Sequence, residues 1–268
     1  MFAVHDVTVR FGELVALDAV SLEATAGTVT TIVGGDGAGK STLLKVLAGR
    51  VLPDLGSVSG APRGRFGLLP ATPGSWANLT VQQNLEFVGT AYGLSRAQIR
   101  RRGDELIAAA GLDDARDRLS SALSGGMRRK LGVIMALAGR PELVLLDEPS
   151  TGVDPVSRVE LLRLIGRAAA EGSAVVTTTT YLDEAEQATQ FIALESGRVL
   201  LSGTAEAAKA CAPGAFWAAR DRQSAFAWRR GRSWHHWAPA LLAGATALSP
   251  DLHDLVVAAA LRAEEQNR

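Results

Sequence analysis

The residues best suited to chemistry are Gly34, Gly35, Asp36, Gly37, Ala38, Gly39, Lys40 and Ser41, with Thr42 next in line. They fit the pattern G-x-x-x-x-G-K-[ST]. Glycines let a backbone curl until successive N–H groups converge on one anion. A helix starting near Ser41 would aim its positive end at the same point. Lys40 would reach the β- and γ-phosphates of a nucleoside triphosphate, and the Ser41 hydroxyl would ligate Mg²⁺. An ordinary glycine-rich turn is the plainer alternative. Against it, a β-branched strand precedes this loop and an apolar helix follows it.

The second group is Asp147-Glu148, placed where the apolar run 143–146 ends. Open α/β sheets bind ligands at the carboxyl ends of their strands. Asp147 there can hold Mg²⁺, directly or through water. Glu148 can orient and deprotonate an attacking water. Alone, the pair could be two solvated acids; the phosphate loop upstream favours the functional reading.

The elements that must position these groups follow from pattern. Residues 28–33 are β-branched and stop at two glycines, as a buried central strand would. Val4, Val7 and Val9 mark a first strand of imperfect period, and residues 14–22 a second. Apolar positions predict a helix over 41–48, closed by Gly49. Residues 66–69 form a short run ended by Pro70, and a loop follows over 70–78. Three helices come next: one capped by Thr80 and running to residue 91, one over 96–110 and one over 126–138. Strands at 143–146, 174–180, 191–195 and 199–201 alternate with helices at 159–170 and 182–188. That alternation argues for an α/β fold with a mostly parallel sheet covered on both faces.

Composition bounds the rest. In 268 residues, 47% hydrophobic content supports a sizeable core. Lys plus Arg and Asp plus Glu each number 28, so the formal charge is zero. A nucleic-acid binder usually carries a basic excess, so no nucleic-acid partner is expected. One cysteine, Cys211, cannot form an internal disulfide and reads as a small apolar filler. No leader and no spanning helix is expected; any membrane crossing would fall to other chains.

The sequence Leu123-Ser124-Gly125-Gly126-Met127 stands before the third helix and about 20 residues ahead of the acid pair. It resembles the signature motif of ATP-binding cassette proteins, and the resemblance covers about residues 1–210. Locally, Ser124, Gly125 and Gly126 at a helix start make a second anion site. The resemblance implies a P-loop NTPase fold with an N-terminal antiparallel β portion and a helical insertion at about 72–138. It implies ATP and Mg²⁺ as cofactors. It also implies a second cassette packed head to tail, so that residues 124–126 cap the γ-phosphate held by the partner. Phe11 matches the aromatic that stacks on adenine, with a core phenylalanine as the alternative. Residues 150–155 resemble the loop that crosses the cassette interface, with Asp154 as its polar contact. Separate membrane-spanning permease subunits would complete the assembly, placing this chain on the cytoplasmic, inner face of the membrane.

Two positions depart from the family pattern. Ala71 stands where the family has a Gln that senses Mg²⁺ and couples to the membrane subunit. Thr180 stands where it has a switch histidine. Thr180 can donate a hydrogen bond to phosphate but cannot carry charge, and Ala71 can do neither. Losing a preorganised polar group beside developing charge costs about 3 kcal/mol of barrier. The chain's own hydrolytic site is therefore expected to be weak, while ATP binding and the signature survive. With the Gly-Gly-Asp-Gly loop and the Gly-Val-Asp-Pro turn, this resembles the first, degenerate cassette of tandem ABC-2-type exporters. A regulatory subunit with little turnover is the nearest alternative. A soluble cassette ATPase acting on ribosomes or nucleic acid is disfavoured by the single cassette and zero charge.

From about residue 211 the character changes. Four of the five tryptophans fall there, and periodicity stays weak until a last helix over 252–265. This reads as a small appended module, 211–268, with its own satellite core or a partner-contact patch. Arg100, Arg101 and Arg102 read as a solvated helix face. His235-His236 lacks the further ligands a metal would need. Residues 250–255 resemble the terminal helix start of drug-export cassettes.

Overall fold

The computed structural model describes residues 1–60, 66–72 and 74–266. Pro73, in the expected loop after residue 70, lies outside them. Strands β1 (Phe2–Phe11) and β2 (Leu14–Ala24) pair antiparallel. The valines of β1 fail to alternate because the ladder slips between Val4 and Val7 and again between Val7 and Val9. Asp6 sits at the first slip with φ 46°. Its N–H donates to Ser21 Oγ at 2.8 Å, and that hydroxyl donates back to Asp6 Oδ1 at 2.9 Å. Such a bulge flips the side-chain face mid-strand, so the sequence period breaks where the strand does not.

Strand β3 (Val29–Val33) runs into the glycine loop, and α1 (Lys40–Leu47) leaves it. An unforeseen edge strand, β4 (Leu55–Ser59), then pairs with β1. It was missed because it is short, largely exposed and carries Gly and two Ser where a buried strand would be apolar. After β5 (Phe66–Leu69) come three helices, α2 (Val81–Ala91), α3 (Arg96–Ala109) and α4 (Gly125–Leu137). Thr80 with Gln83 and Ser95 with Gln98 form capping boxes that fix the first two starts. Then β6 (Leu143–Leu146), α5 (Pro155–Ala170), β7 (Ala174–Thr179), α6 (Leu182–Gln187), β8 (Gln190–Glu195), β9 (Arg198–Gly203) and α7 (Ala205–Ala210) follow. Helix α5 starts one turn earlier than expected, because Asp154 caps it and Pro155 suits its first position.

The six-stranded sheet has the order β5-β6-β7-β3-β8-β9. Its pairs are parallel except β8 with β9, which turn back through Ser196 and Gly197. Strand β6 shows how it is held. Val144 and Leu146 enter one core cluster with Leu131, Ile134 and Ile165 from α4 and α5. Leu143 and Leu145 enter the opposite cluster with Val7, Leu17 and Leu43. Both faces are covered, so the strand reads as an unbroken apolar run. Leu145→Ala would cost about 3 kcal/mol.

Residues after 210 form a sheet the sequence did not disclose. Strands β10 (Ala215–Ala219), β11 (Phe226–Arg230) and β12 (Ser233–Ala238) pair antiparallel in the order β10-β12-β11, and α8 (Leu252–Gln266) packs on one face. Phe216, Trp228 and Trp237 pack there with Leu255 and Ala258. On the other face Trp217 stacks on His236 with ring centroids 5.1 Å apart. Aromatic residues on both faces remove the alternation that would have signalled strands. Two further expectations need correction. Arg102 does not face solvent; it turns inward to pair with Glu105 and Glu171, each at 3.3 Å. Cys211 is exposed, because it follows the last turn of α7 and no core element covers it.

Candidate functional site

The site lies where β3, β6 and β7 end side by side. Gly34 N–H donates to Thr179 O at 3.3 Å, tying the glycine loop to the end of β7. A Cβ at Gly34 would lie 2.4 Å from Leu194 O, so only glycine fits. Gly39 takes φ 102° as the N-cap of α1 and offers no side-chain cap. The first N–H groups of α1 are thus left for a ligand. Gly37, Ala38, Gly39, Lys40, Ser41 and Thr42 line an open cleft of about 400 Å³. Phe11 forms its far wall and is half exposed, which places it in the cleft and not in the core. Gly35 and Asp36 complete the turn within the same loop.

The charges of the site are linked. Lys40 is only 5% exposed, and its Nζ donates to Gly34 O at 2.9 Å and Gly35 O at 3.0 Å. The same ammonium is 3.3 Å from Glu148 Oε1. Glu148 Oε2 accepts from Thr151 Oγ1 at 3.1 Å. Glu148 has φ 50°, a left-handed conformation that costs about 1 kcal/mol for a residue with a side chain. The surroundings enforce it: Glu148 N–H donates to Thr178 Oγ1 at 2.8 Å, while that hydroxyl donates to Asp147 Oδ1 at 2.6 Å.

Two residues essential to this geometry escaped the sequence reading. Thr178 is one. A run of four threonines where a central strand should be apolar was its signal, since buried polar residues are the informative exception. Arg129 is the other. It leaves α4, is nearly buried, and donates to Asp147 O at 2.6 Å, Glu148 O at 2.7 Å and Ala71 O at 2.9 Å. A longer bond reaches Pro70 O at 3.3 Å. Burial lowers its pKa from the ordinary guanidinium value, and the charges of Asp147 and Glu148 oppose that shift. One side chain thus clamps the ends of β5 and β6 to the helix that starts at Gly125.

Ser124 caps α4, accepting from Met127 N–H at 3.2 Å. Ser124 and Gly125 are exposed, and a Cβ at Gly126 would lie 3.7 Å from Val153 Cα. The glycine-rich helix start therefore sits against the 150–155 loop. Asp154 spends its carboxylate on capping α5, accepting from Ser157 N–H at 3.0 Å and Val156 N–H at 3.1 Å. Those bonds hold its pKa below the usual carboxylate value, the Ser157 bond most of all. Ala71 and Thr180 stand where the sequence placed them, just past β5 and β7, and both are exposed. The oxygen donors suit a hard cation such as Mg²⁺: Thr178 engages only Oδ1 of Asp147, and Ser41 lines the cleft.

Comparison with known proteins agrees with this geometry. The family model described as ABC transporter matches residues 17–151. The daunorubicin resistance ATP-binding protein DrrA3 of Streptomyces coeruleorubidus is 39% identical over 212 residues, covering 75% of this chain and 67% of that protein. The chain belongs to the ABC transporter family. A probable multidrug ABC transporter ATP-binding protein, YbhF of Escherichia coli (strain K12), is 38% identical over 192 residues. That match spans 68% of this ABC chain but only 33%, about one third, of the relative's length. A solved ATP-binding subunit of an ABC transporter superposes with a TM-score of 0.72 at 28% identity, covering 78% of this chain and 92% of that one. A dimeric cassette solved with ADP and phosphate, at 24% identity and a TM-score of 0.68, shares the fold. The P-loop cassette architecture, with its mostly parallel sheet, N-terminal antiparallel strands and helices, is thereby shown.

Proposed function

We propose that this ABC chain binds Mg-ATP in the cleft between Phe11 and residues 37–42 and pairs with a second cassette to power export through separate membrane-spanning permease subunits. The observation that carries the reading is the ion pair between Lys40, which lines that cleft, and Glu148, which follows the buried Asp147. A triphosphate tail competes with Glu148 for the Lys40 ammonium. Binding would release Glu148, leaving its carboxylate to orient and deprotonate water. Ser41 and Asp147 would hold Mg²⁺, which supplies charge neutralisation to the phosphates when bound. Residues 1–210 act as the cassette and 211–268 as an appendage. Ser124, Gly125 and Gly126 serve the partner's nucleotide.

Ala71 and Thr180 support a site that binds well and turns over slowly, with a competent, different partner cassette doing most of the hydrolysis. A non-hydrolysing regulatory subunit is the second reading, favoured by the same two residues. No nucleic acid is needed in either. An exposed pair, Trp76 and Phe87, with ring centroids 4.3 Å apart, flanks the loop after β5 and supports a permease contact there. Among the described residues no helix is long and apolar enough to cross a membrane. A place on the cytoplasmic face of the membrane follows from this partnership.

The test is a direct titration of the chain with Mg-ATP, with turnover measured alone and with its copurified partners. Saturable binding with turnover well below one per second alone, restored in the complex, supports the division of labour. Turnover of tens per second by the isolated chain, abolished by Glu148→Gln, overturns the weak-site reading. No saturable binding overturns the whole proposal.

A further inference from the structure

The appended sheet and α8 meet β9 and α7 around a cavity of about 530 Å³, lined by other residues than the nucleotide cleft. That volume suits a small molecule. Most of its wall is apolar: Leu201 from β9, Ala208 from α7, Phe216 and Trp237 from the sheet, Leu255 and Ala259 from α8. The polar exceptions are few, chiefly the Ser202 hydroxyl and the Arg262 guanidinium.

Arg262 distinguishes this cavity from a mere packing fault. Its guanidinium carbon lies over the Trp237 ring, 4.6 Å from the centroid. Two neighbouring cations are neutralised: Arg230 binds Asp251 and Asp254, and Lys209 of α7 binds Glu186 at 2.8 Å; Arg229, which lies over Trp234 with 5.9 Å to the ring centroid, does not line the cavity. Among the described residues no carboxylate pairs with Arg262. A stacked guanidinium with no carboxylate partner among the described residues, at the wall of a half-open and largely apolar pocket, complements an anion attached to an apolar body. A cationic ligand would meet repulsion there, and a neutral one would leave the guanidinium desolvated without return.

We propose that this cavity binds a small amphiphile, with its apolar body against Phe216, Trp237 and Leu255 and its anionic headgroup on Arg262. The site draws walls from both the cassette strand β9 and the appended helix α8. Occupancy would therefore fasten the appendage to the cassette.

The experiment uses the full chain without nucleotide and dodecanoate as the probe, kept below its micelle concentration. Calorimetric titration is run beside alkylation of Cys211 by iodoacetamide. Cys211 is the chain's one cysteine and sits at the exposed rim of the cavity, so a ligand seated there should shield it. One-to-one saturable binding is expected, with alkylation slowed by about twofold at saturation. Arg262→Gln should weaken dodecanoate about tenfold while leaving 1-dodecanol unchanged, and Arg262→Lys should retain most affinity. Ala259→Phe, which fills the chamber, should abolish both. Absence of saturable binding overturns the proposal, as does binding indifferent to both Arg262→Gln and Ala259→Phe. Arg262-dependent sedimentation with phosphatidylglycerol vesicles, without uptake of free dodecanoate, would assign the residue to a lipid surface and overturn it too.

Discussion

Two regions of the molecule combine cations with carboxylates and put them to opposite uses. In the cassette, Lys40 lines an open cleft and touches Glu148, and among the described residues Arg129 binds only backbone carbonyls. In the appendage, Arg230 binds Asp251 and Asp254, and Asp254 Oδ1 also meets His235 Nδ1 at 2.8 Å. The first arrangement leaves charge exchangeable, because a ligand can replace Glu148 on Lys40. The second neutralises charge side chain to side chain and fastens α8 to the sheet. Residues 251, 253 and 254 could in outline hold a metal ion, but Arg230 already occupies both of their acids.

The contrast can be broken most severely at Arg129. Arg129→Met keeps the apolar stem but orphans carbonyls at the ends of β5 and β6. Urea denaturation should show a loss of about 4 kcal/mol. Lys40→Ala comes next: Mg-ATP binding, measured by equilibrium titration, should weaken about a hundredfold while the chain stays folded. Thr178→Val is nearly isosteric and leaves Glu148 N–H and an Asp147 oxygen without their partner. It should cost about 2 kcal/mol in the same urea assay.

The smallest effect tests the closed region. Burial opposes ionisation of Asp251, but Arg230 and the Asp254 N–H outweigh it and bring the pKa down to about 2. A depressed carboxylate stabilises the fold above its unfolded pKa near 4 and loses that contribution as pH falls toward 2. The side chain is 37% exposed, so solvent screening reduces the contribution to about 1 kcal/mol. Asp251→Asn should therefore unfold more easily at pH 7, with the difference from the parent vanishing between pH 4 and pH 2.

Much of the cassette was legible because its signals are local. The run 143–146 is apolar because both faces of β6 are covered, and the glycine loop announces itself by composition. Ala71 and Thr180 could be placed by counting from strand ends. What stayed hidden depends on distant partners. Nothing near Arg129 in sequence says that it will meet carbonyls from residues 70, 71, 147 and 148. Nothing in 215–238 alternates cleanly, because that sheet carries aromatic rings on both sides. Strand β4 has too little apolar content to be seen without β1 beside it.

The strand that carries the glycine loop is flanked by β7 and β8, with Val29 opposite Val175 and Val33 opposite Ala193. Both neighbours therefore leave the ribosome about 150 residues later. At ordinary elongation rates of about 5–20 residues per second, β3 waits roughly 8–30 s for its partners. Throughout that interval its β-branched edges stand open to wrong pairing, and a nascent chain cut short before residue 174 could shield neither.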